Sequence, residues 1–299
     1  MFILEDNKKD MNCNLCQETK YKTYLNPYHW RKTKQIFSVV ECENCGHLYT
    51  KDAPSEDAIG AYYDSETYIS HTDSNKSLFD KVYNGIKKYM LAKKYAWITR
   101  FVPRGTLIDY GAGSGAFVKY VADRGRKAIG LEIAEAGRKT AKELYGIELY
   151  EPNELKNMDD ESVSVFTMWH VLEHIYQPEK LIKEIHRVLD KNGVLVVAVP
   201  NPLSWDAKHY KEDWAAWDVP IHISHFKPSV IKNFMEKNEF HCIQTKGMPF
   251  DAFYISLVSN ENKYGHKKPI TGFINGLKSQ LHGIKTGNYS SQVYIFRKN

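Results

Sequence analysis

Four of the five cysteines stand in two closely spaced pairs near the N-terminus. Cys13 and Cys16 form one Cys-x-x-Cys pair, and Cys42 and Cys45 form the second. Each pair fits a tight turn that presents two thiolates to one tetrahedral ion, so the four residues predict a structural zinc site. Redox dithiols or unrelated buried cysteines are the alternative. The fifth cysteine, Cys242, lies in an apolar stretch and is interpreted as a core residue.

A glycine-rich stretch in the middle of the chain is the second candidate site. Asp109 is followed by Gly111, Ala112 and Gly113, after a short apolar run and before a helical pattern. Such a unit holds a nucleotide-like ligand at a helix N-terminus, because glycine lets the ligand approach the backbone. Glu132, about 20 residues further on, is placed to bind ribose hydroxyls. A nicotinamide dinucleotide and S-adenosylmethionine both fit, and Asp109 favours the second.

Aromatic residues and histidines near the ends of later segments form the third group. Trp169 and His170 end a β-branched run that predicts a central strand, at the edge where open α/β sheets bind ligands. His222 and His225 lie three residues apart within residues 201–227. That segment is rich in aromatic residues and has little periodicity, which indicates a functional loop or lid.

The segments that must position these residues alternate between strand and helix patterns. Buried-strand patterns occur at residues 107–110, 128–131, 147–150, 163–169 and 194–199. Helical patterns occur at residues 78–101, 117–122, 135–145 and 178–189. This alternation predicts an α/β fold with a parallel, doubly wound sheet.

The last third of the chain has a different pattern. A helix is predicted from Pro228, followed by strands at residues 250–258 and 291–297. Between these strands lies a basic insert, residues 262–288, with apolar residues at helical spacing. We interpret it as a covering flap, because it is short and contains several glycines. A weak amphipathic helix that touches a membrane is the alternative.

Length and composition are those of a globular protein with one large and one small domain. The chain has 299 residues, of which 42% are hydrophobic and 26% charged. Its net charge of +5 permits an anionic substrate but does not demand nucleic acid. The first residues lack the pattern of a signal peptide, and no run of about 18 apolar residues occurs. We therefore expect a cytoplasmic protein with no membrane span and reduced thiols.

One more motif is far more specific than the glycines. It is the run Trp169–His174, of sequence Trp-His-Val-Leu-Glu-His, directly after the predicted central strand. Together with Asp109–Gly115, Glu132 and Asn192–Leu195, it resembles the class I S-adenosylmethionine-dependent methyltransferases. The closest likeness is the group of ubiquinone-biosynthesis O-methyltransferases and sugar C-methyltransferases with an N-terminal cysteine knuckle domain. The resemblance implies a Rossmann-like sheet of seven strands, the last antiparallel, and a small N-terminal zinc-binding domain.

The resemblance also implies which residues hold the cofactor. These residues are Asp109, Gly111, Ala112, Gly113, Glu132, Ile133, Glu154, Leu155, Trp169 and His170. By likeness, the glycines approach the methionine and ribose portions, and Glu132 accepts from both ribose hydroxyls. Glu154 and Leu155 would lie near the adenine, where the match is weaker because the family usually has an aspartate. His170 would border the sulfonium.

The remaining chemical need is a base for the methyl acceptor. The sulfonium methyl is already activated, so the protein must align the reactants and remove a proton from a hydroxyl or carbon acid. His222 and His225 are the predicted bases, and a similar His-x-x-His-Phe run occurs in related sugar C-methyltransferases. The alternative is a hydrogen-bonding role in the lid. Tyr62, Tyr63 and Tyr68 are expected either to close over the cofactor or to pack.

The sequence therefore predicts an S-adenosylmethionine-dependent methyltransferase that modifies oxygen or carbon of a small-molecule acceptor. A sugar nucleotide or another anionic metabolite would suit it. The predicted parts are a zinc-binding knuckle domain at 1–55, a helical connector at 56–103 and a methyltransferase domain at 104–299. A scaffold protein with a catalytically idle fold and an RNA methyltransferase are the alternatives. No nucleic-acid partner is expected, and the oligomeric state is open.

Overall fold

The computed structural model of the chain describes residues 12–31, 33–63 and 78–299. Within them the strands are β1 (Tyr21–Leu25), β2 (Val39–Cys42), β3 (Leu48–Thr50), β4 (Leu107–Tyr110), β5 (Ala128–Leu131), β6 (Val163–Trp169), β7 (Leu189–Pro200), β8 (Ser224–His225), β9 (Phe240–Gly247) and β10 (Ser291–Lys298). The helices are α1 (Leu78–Thr99), α2 (Ala116–Ala122), α3 (Glu135–Tyr145), α4 (Pro178–Val188), α5 (Trp205–Tyr210), α6 (Pro228–Lys237), α7 (Asp251–Tyr264) and α8 (Pro269–Thr286).

The larger sheet contains six strands in the order β5-β4-β6-β7-β10-β9. The first four are parallel, and β10 runs antiparallel to both β7 and β9. Residues 194–199 of β7 and 293–296 of β10 are almost fully buried, as near-continuous apolar runs require. One face packs against α4 and α6, and the other packs against α1 and α2. The expected α/β class with an antiparallel last strand is confirmed.

The sheet has six strands, whereas seven were expected. Residues 147–150 form no strand and make a single parallel bridge between Tyr150 and Leu131. Tyr150 donates its N–H to Gly130, and Glu132 donates its N–H to Tyr150. Pro152, which has no N–H, then begins a 3-10 turn, so the pairing cannot continue.

The predicted strand at residues 250–258 is also wrong. These residues belong to α7, and the strand that pairs with β10 is β9, which ends at Gly247. The buried face of α7 consists largely of small or polar residues: Ala252, Ile255, Ser256, Ser259 and Asn260. A helix that buries such residues has no apolar stripe of period 3.6, which explains the error. The 262–288 insert contains α8, which packs against α7 as a helical hairpin.

The N-terminal part forms a second, smaller sheet. Its four strands have the order β1-β2-β3-β8, and neighbouring strands are antiparallel. The fourth strand comes from the distant residues 224–225, where His225 pairs with Leu48. The N-terminal sheet is therefore completed by the segment that carries the predicted catalytic histidines.

Residues 201–227 are not the loop that the sequence indicated. They contain α5, several 3-10 turns and β8, and most of their side chains are buried. Trp214 and Trp217 share an apolar cluster with Phe37 and Val39 of the N-terminal part. The aromatic residues without periodicity thus form an irregular packed layer between the N-terminal sheet and the helices. Among the described helices, none is both long and apolar enough to cross a membrane.

Candidate functional site

The glycine stretch forms a tight turn between β4 and α2. Gly111 and Gly113 have φ angles of +73° and +56°, a region that disfavours other residues. A Cβ atom on Gly111 would lie 2.4 Å from Cγ2 of Val171, so this glycine lets the segment after β6 pack against the loop. A Cβ atom on Gly113 would meet no atom of the described chain within 4 Å. Gly113 therefore borders open space above the sheet edge.

Glu132 ties the glycine loop to the end of β5. Its side chain is buried, and Oε2 accepts a hydrogen bond of 2.7 Å from the N–H of Gly113. Oε1 accepts a second bond, of 2.8 Å, from the N–H of Ala134. Each carboxylate oxygen keeps another lone pair, so the group retains capacity for hydroxyl donors. The geometry suits a carboxylate that both orders the loop and binds a diol.

Asp109 lies beneath the same loop at the end of β4. Its Oδ1 accepts a 2.6 Å hydrogen bond from the hydroxyl of Thr167, on the neighbouring strand β6. Burial raises the pKa of Asp109 to about 6, although the Thr167 bond and the nearby Lys94 oppose the rise. Asp109 is thus a buried carboxyl group that Thr167 holds in place beneath the glycine loop.

The other residues of the predicted cofactor set differ in their accessibility. Ile133 is exposed next to Glu132, and Glu154 is exposed and accepts a hydrogen bond from Asn157. Ala112 packs in a small apolar cluster under the loop. Leu155 lies in the main core, where its side chain packs below the sheet edge rather than facing solvent. Its predicted contact with an adenine stays a prediction.

Trp169 and His170 lie at the carboxyl end of β6, as the sequence predicted. The Trp169 ring packs edge-on against Phe117, with Nζ of Lys94 at 4.3 Å from the ring centroid. His170 has a φ angle of +60°, which is strained for a residue with a side chain. The structure therefore holds His170 in a strained backbone conformation in which its imidazole reaches Asp251.

Two carboxylates flank the imidazole of His170. Nε2 is 2.9 Å from Oδ2 of Asp251, and Nδ1 is 3.4 Å from Oε1 of Glu173, an ion-pair distance without hydrogen-bond geometry. Burial lowers the pKa of His170, but the two carboxylates outweigh it and raise the pKa to about 10. Sequence reasoning missed Asp251, because it begins the helix that was taken for a strand.

The predicted base His222 lies beside Glu173 and His174. The rings of His174 and His222 are 4.7 Å apart, and the ligand atoms of the three residues all lie within 4.8 Å of one another. We call these three residues the Glu-His-His cluster. Glu173 and His174 belong to the motif that carried the family resemblance, but the sequence assigned no role to them. The structure thus brings two imidazoles and a carboxylate together just after the carboxyl end of β6.

His225, the second predicted base, faces a different environment. Its Nε2 is 3.1 Å from the hydroxyl of Thr50, and its ring packs against Trp217. Burial and the nearby His222 and His47 hold the pKa of His225 well below its usual range. The structure thus separates the two histidines: His222 joins the Glu-His-His cluster, and His225 packs against the N-terminal sheet.

The N-terminal part contacts the Glu-His-His cluster through Tyr63. The hydroxyl of Tyr63 lies 3.3 Å from Nδ1 of His174. Burial, followed by the charges of Asp218 and Glu173, raises the pKa of Tyr63 to about 12. Tyr62 instead donates to Gln35 inside the N-terminal part, and Tyr68 lies outside the described residues.

The four N-terminal cysteines are brought together as the sequence predicted. Sulfur separations are 3.6 Å for Cys13–Cys45 and 3.5 Å for Cys16–Cys42 and Cys16–Cys45. Four thiolates bonded to one zinc at about 2.3 Å stand about 3.8 Å apart, so the cluster has the dimensions of a tetrahedral site. Disulfides are absent among these cysteines.

The family follows from a comparison with known proteins. A family described as a methyltransferase domain matches residues 86–245, which is more than half of the 299 residues. The chain belongs to this methyltransferase family. The match covers the glycine loop, Glu132, the Glu-His-His cluster and β8, but not the cysteine cluster.

Curated relatives of the chain are distant in sequence and are matched over only part of their length. A probable S-adenosylmethionine-dependent methyltransferase of Mycolicibacterium smegmatis is 30% identical over 102 residues, or 33% of this chain and 39% of that protein. A probable S-adenosylmethionine-dependent methyltransferase of Mycobacterium tuberculosis is 27% identical over 126 residues, or 40% and 46%. An uncharacterized protein of Methanocaldococcus jannaschii is 26% identical over 149 residues, or 50% and 64%. In each case the match spans less than two thirds of the relative.

Solved structures share the fold at low identity. Magnesium protoporphyrin IX methyltransferase from Synechocystis, with bound SAH, has a TM-score of 0.52 at 15% identity and matches 82% of this chain and 100% of that one. A SAM-dependent methyltransferase from Archaeoglobus fulgidus has a TM-score of 0.50 at 16% identity, with 75% and 100% covered. These likenesses show that the six-stranded sheet is a methyltransferase fold.

Proposed function

We propose that the chain is an S-adenosylmethionine-dependent methyltransferase that methylates oxygen or carbon of a small-molecule acceptor. The observation that carries this proposal is the glycine loop, in which Gly113 faces open space while Glu132 holds its N–H. That arrangement offers a carboxylate for ribose hydroxyls and a backbone that a nucleoside can approach closely. Membership of the methyltransferase family and a relative's structure with bound SAH support the choice of cofactor over a nicotinamide.

The acceptor would bind at the Glu-His-His cluster. Val171 packs on the loop at Gly111, so the cluster lies next to the cofactor loop on the same sheet edge. In-line transfer from a sulfonium needs alignment and removal of the acceptor's proton, and two imidazoles with a carboxylate can take up that proton. His222, one of the two bases predicted from sequence, belongs to this cluster. We assign the acceptor side to it rather than to His225.

The cysteine cluster fits a structural zinc ion. Cys13, Cys16, Cys42 and Cys45 supply four sulfur ligands at the separations that one ion requires, and thiolates are the preferred ligands of such zinc sites. Bound there, zinc would fix the two turns that flank the small N-terminal sheet. That sheet would otherwise rely on few apolar residues of its own. We infer that this small sheet, which β8 completes, covers the acceptor site on the side of Tyr63.

Titration calorimetry with S-adenosylhomocysteine tests the cofactor proposal. We expect micromolar binding to the wild-type chain and a loss of at least about tenfold in Gly113→Ala, because the new methyl group enters the ligand's space. Gly125→Ala is the matched control. Gly125 also has a positive φ angle, +76°, and open space around its Cβ position, but it precedes β5 at the opposite sheet edge.

Equal affinities of Gly113→Ala and Gly125→Ala for S-adenosylhomocysteine would show that the glycine loop is not part of the cofactor site. Absence of binding to the wild-type chain would favour the alternative of a catalytically idle scaffold. Both variants strain the backbone similarly, so comparable loss of thermal stability in the two is expected and separates binding from folding.

A further inference from the structure

Glu173 is a buried carboxylate whose bonding is incomplete. The residue is 1% exposed, and neither carboxylate oxygen has a hydrogen-bond partner among the described residues. His170 approaches one oxygen only at 3.4 Å. The ion pair with His170 balances the charge of Glu173, but the hydrogen-bonding capacity of both its oxygens is unused, so the carboxylate can accept a further ligand.

The two histidines of the cluster each direct Nδ1 at a backbone carbonyl. Nδ1 of His222 is 2.9 Å from the carbonyl of Ala216, and Nδ1 of His174 is 3.2 Å from the carbonyl of Ile221. Carbonyls only accept, so both Nδ1 atoms carry protons and both Nε2 atoms keep their lone pairs. Metal-binding histidines are oriented in this way, with the second ring nitrogen donating to a backbone carbonyl.

We propose that Glu173, His174 and His222 bind one divalent transition-metal ion. Two imidazoles and one carboxylate suit zinc or iron better than magnesium or calcium, which prefer oxygen ligands alone. Three protein ligands leave coordination positions open, so an acceptor with a hydroxyl, carboxylate or enolate oxygen can bind there. This step rests on the proposed function: an ion at this point lowers the pKa of a coordinated hydroxyl, so the acceptor can lose its proton to water, and the three side chains then act as ligands rather than as the base.

Cobalt substitution tests the site in the full chain. After removal of metal with a chelator, we expect wild type to take up two equivalents of Co²⁺, one of them with the absorption of a thiolate complex. Glu173→Gln and His222→Ala should each bind a single equivalent and keep the thiolate absorption, which shows that the N-terminal part is folded. His241→Gln, an exposed histidine on β9, is the control and should bind two.

Retention of the second equivalent in both Glu173→Gln and His222→Ala would overturn the proposal. A wild-type chain that binds cobalt only through thiolates would overturn it too. Binding of S-adenosylhomocysteine is measured on metal-free protein, so failure of the metal site and failure of the methyltransferase function give different results.

A second and independent observation concerns the outer face of α8. Six large apolar side chains on this helix are exposed at helical spacing: Ile270, Phe273, Ile274, Leu277, Leu281 and Ile284. The largest exposed fractions are 76% for Ile270, 63% for Ile284 and 61% for Phe273. A contiguous stripe of this kind on a surface helix marks an interaction site.

The residues that α8 buries against α7 keep its apolar stripe on the outer surface. It consists of small and polar residues: Gly272, Asn275, Gly276, Ser279 and Gly283. A Cβ atom on Gly276 would lie 2.7 Å from the Cα of Phe253 in α7, so the two helices pack backbone to backbone. Asn275 donates to the hydroxyl of Tyr210, and Ser279 donates to Asp206. These buried bonds fix the rotation of the helix about its axis.

The residues of α8 and those that follow it carry charge of one sign. From residue 262 to the C-terminus the sequence contains no Asp or Glu. Lys263, Lys267, Lys278 and Lys285 are exposed on or beside α8. An amphipathic helix with lysines along an apolar stripe fits an anionic lipid surface, where the stripe enters the interface and the cations meet headgroups.

We infer that α8 docks the molecule onto an anionic membrane surface without crossing it. Co-sedimentation of the full chain with vesicles tests this. We expect binding to phosphatidylcholine vesicles that contain phosphatidylserine, weakened by salt and by omission of phosphatidylserine. The double variant Phe273→Ser/Leu281→Ser should lose at least about tenfold in affinity.

The matched control is Ile36→Ser/Leu144→Ser, which removes two exposed apolar side chains elsewhere and should bind like wild type. If the wild-type chain does not bind vesicles but forms a dimer, and Phe273→Ser/Leu281→Ser abolishes that dimer, a second copy of the chain covers the stripe. That result, or equal vesicle binding by both double variants, overturns the inference.

Discussion

Asp109 lies at the carboxyl end of β4 with its side chain almost fully buried. Burial raises the pKa of Asp109 from an ordinary value near 3.8 to about 6. The folded chain therefore binds a proton more tightly at this residue than the unfolded chain does. Linkage then requires that stability be greatest below pH 4 and fall as the pH rises through about 6.

Asp109→Asn should remove this pH dependence, because an amide does not ionise. Between pH 4 and pH 7 we expect wild type to lose about 2 kcal/mol of unfolding free energy relative to the variant, from a shift of about two pKa units that is only partly titrated in this range. Urea unfolding of both proteins at several pH values measures this difference. Asp159→Asn, at an exposed carboxylate, should show no such trend. A wild-type-minus-variant difference that is constant with pH would contradict the argument.

Some residues of the candidate site could be predicted from the sequence, and others could not. The two cysteine pairs, the glycine loop and Glu132 could be predicted because short motifs encode their geometry. Asp251 could not, because it meets His170 only through the packing of α7 against the sheet edge. His222 was named from its spacing, but its grouping with Glu173 depends on a chain path between β7 and β8 that has no local pattern.

At the scale of elements, the helical hairpin of α7 and α8 depends on glycines. Gly276 allows the α8 backbone to approach the α7 backbone, and Gly272 does the same against Leu257. Glycine inside a helix normally costs about 0.5–1 kcal/mol relative to alanine. We expect the packing of α7 against α8 to stabilise the fold by more than this cost, because only residues without a side chain allow the two backbones to come so close.

Gly276→Ala should destabilise the chain although alanine is the better helix former. Its Cβ would lie 2.7 Å from a backbone atom of Phe253, which cannot move aside like the end of a side chain. We expect a loss of about 1–3 kcal/mol, typical of overpacking. Gly85→Ala in α1 is the control, because nothing lies within 4 Å there, and it should stabilise by about 0.5–1 kcal/mol. Chemical denaturation compares them, and a stabilising Gly276→Ala would refute the close-packing argument.

Strands and helices that bury apolar residues at regular spacing could be predicted from the sequence. Helices that bury small and polar residues could not. The β-branched strands and the helices α1, α2 and α4 bury apolar side chains at regular spacing, so hydrophobic periodicity predicted them. The helices α7 and α8 turn small and polar residues inward, and the glycines of α8 were interpreted as signs of a flap. Residues 147–150 have a strand-like composition, but the turn at Pro152 limits them to one bridge.

At the scale of the whole molecule, the N-terminal part is joined to the methyltransferase sheet by long-range contacts. β8 pairs with β3, and the hydroxyl of Thr50 donates to the carbonyl of His222. Arg31 forms a bidentate ion pair with Asp218, at 3.0 and 2.8 Å. Such pairing between distant residues has no signature in local sequence, which is why the connection could not be foreseen. It makes the position of His222 dependent on the N-terminal sheet.

Arg31→Ala should therefore weaken the whole assembly rather than one surface contact. Asp218 is 7% exposed, and its pKa lies below the ordinary value because Arg31 outweighs the effect of burial. Loss of Arg31 leaves a buried carboxylate without its main counter-charge, which costs about 3–5 kcal/mol. Lys139→Ala, which breaks the exposed pair with Glu143, should change stability by less than about 1 kcal/mol.

Unfolding free energies and limited proteolysis distinguish the two outcomes. If the ion pair holds the N-terminal part in place, Arg31→Ala exposes residues 201–227 to protease while Lys139→Ala does not. Cofactor affinity should survive in Arg31→Ala, because Gly113 and Glu132 lie on β4 and β5 ends that the N-terminal part does not build. Cofactor binding that fell together with protease resistance would instead mean that the small sheet and the large one fold as a single unit.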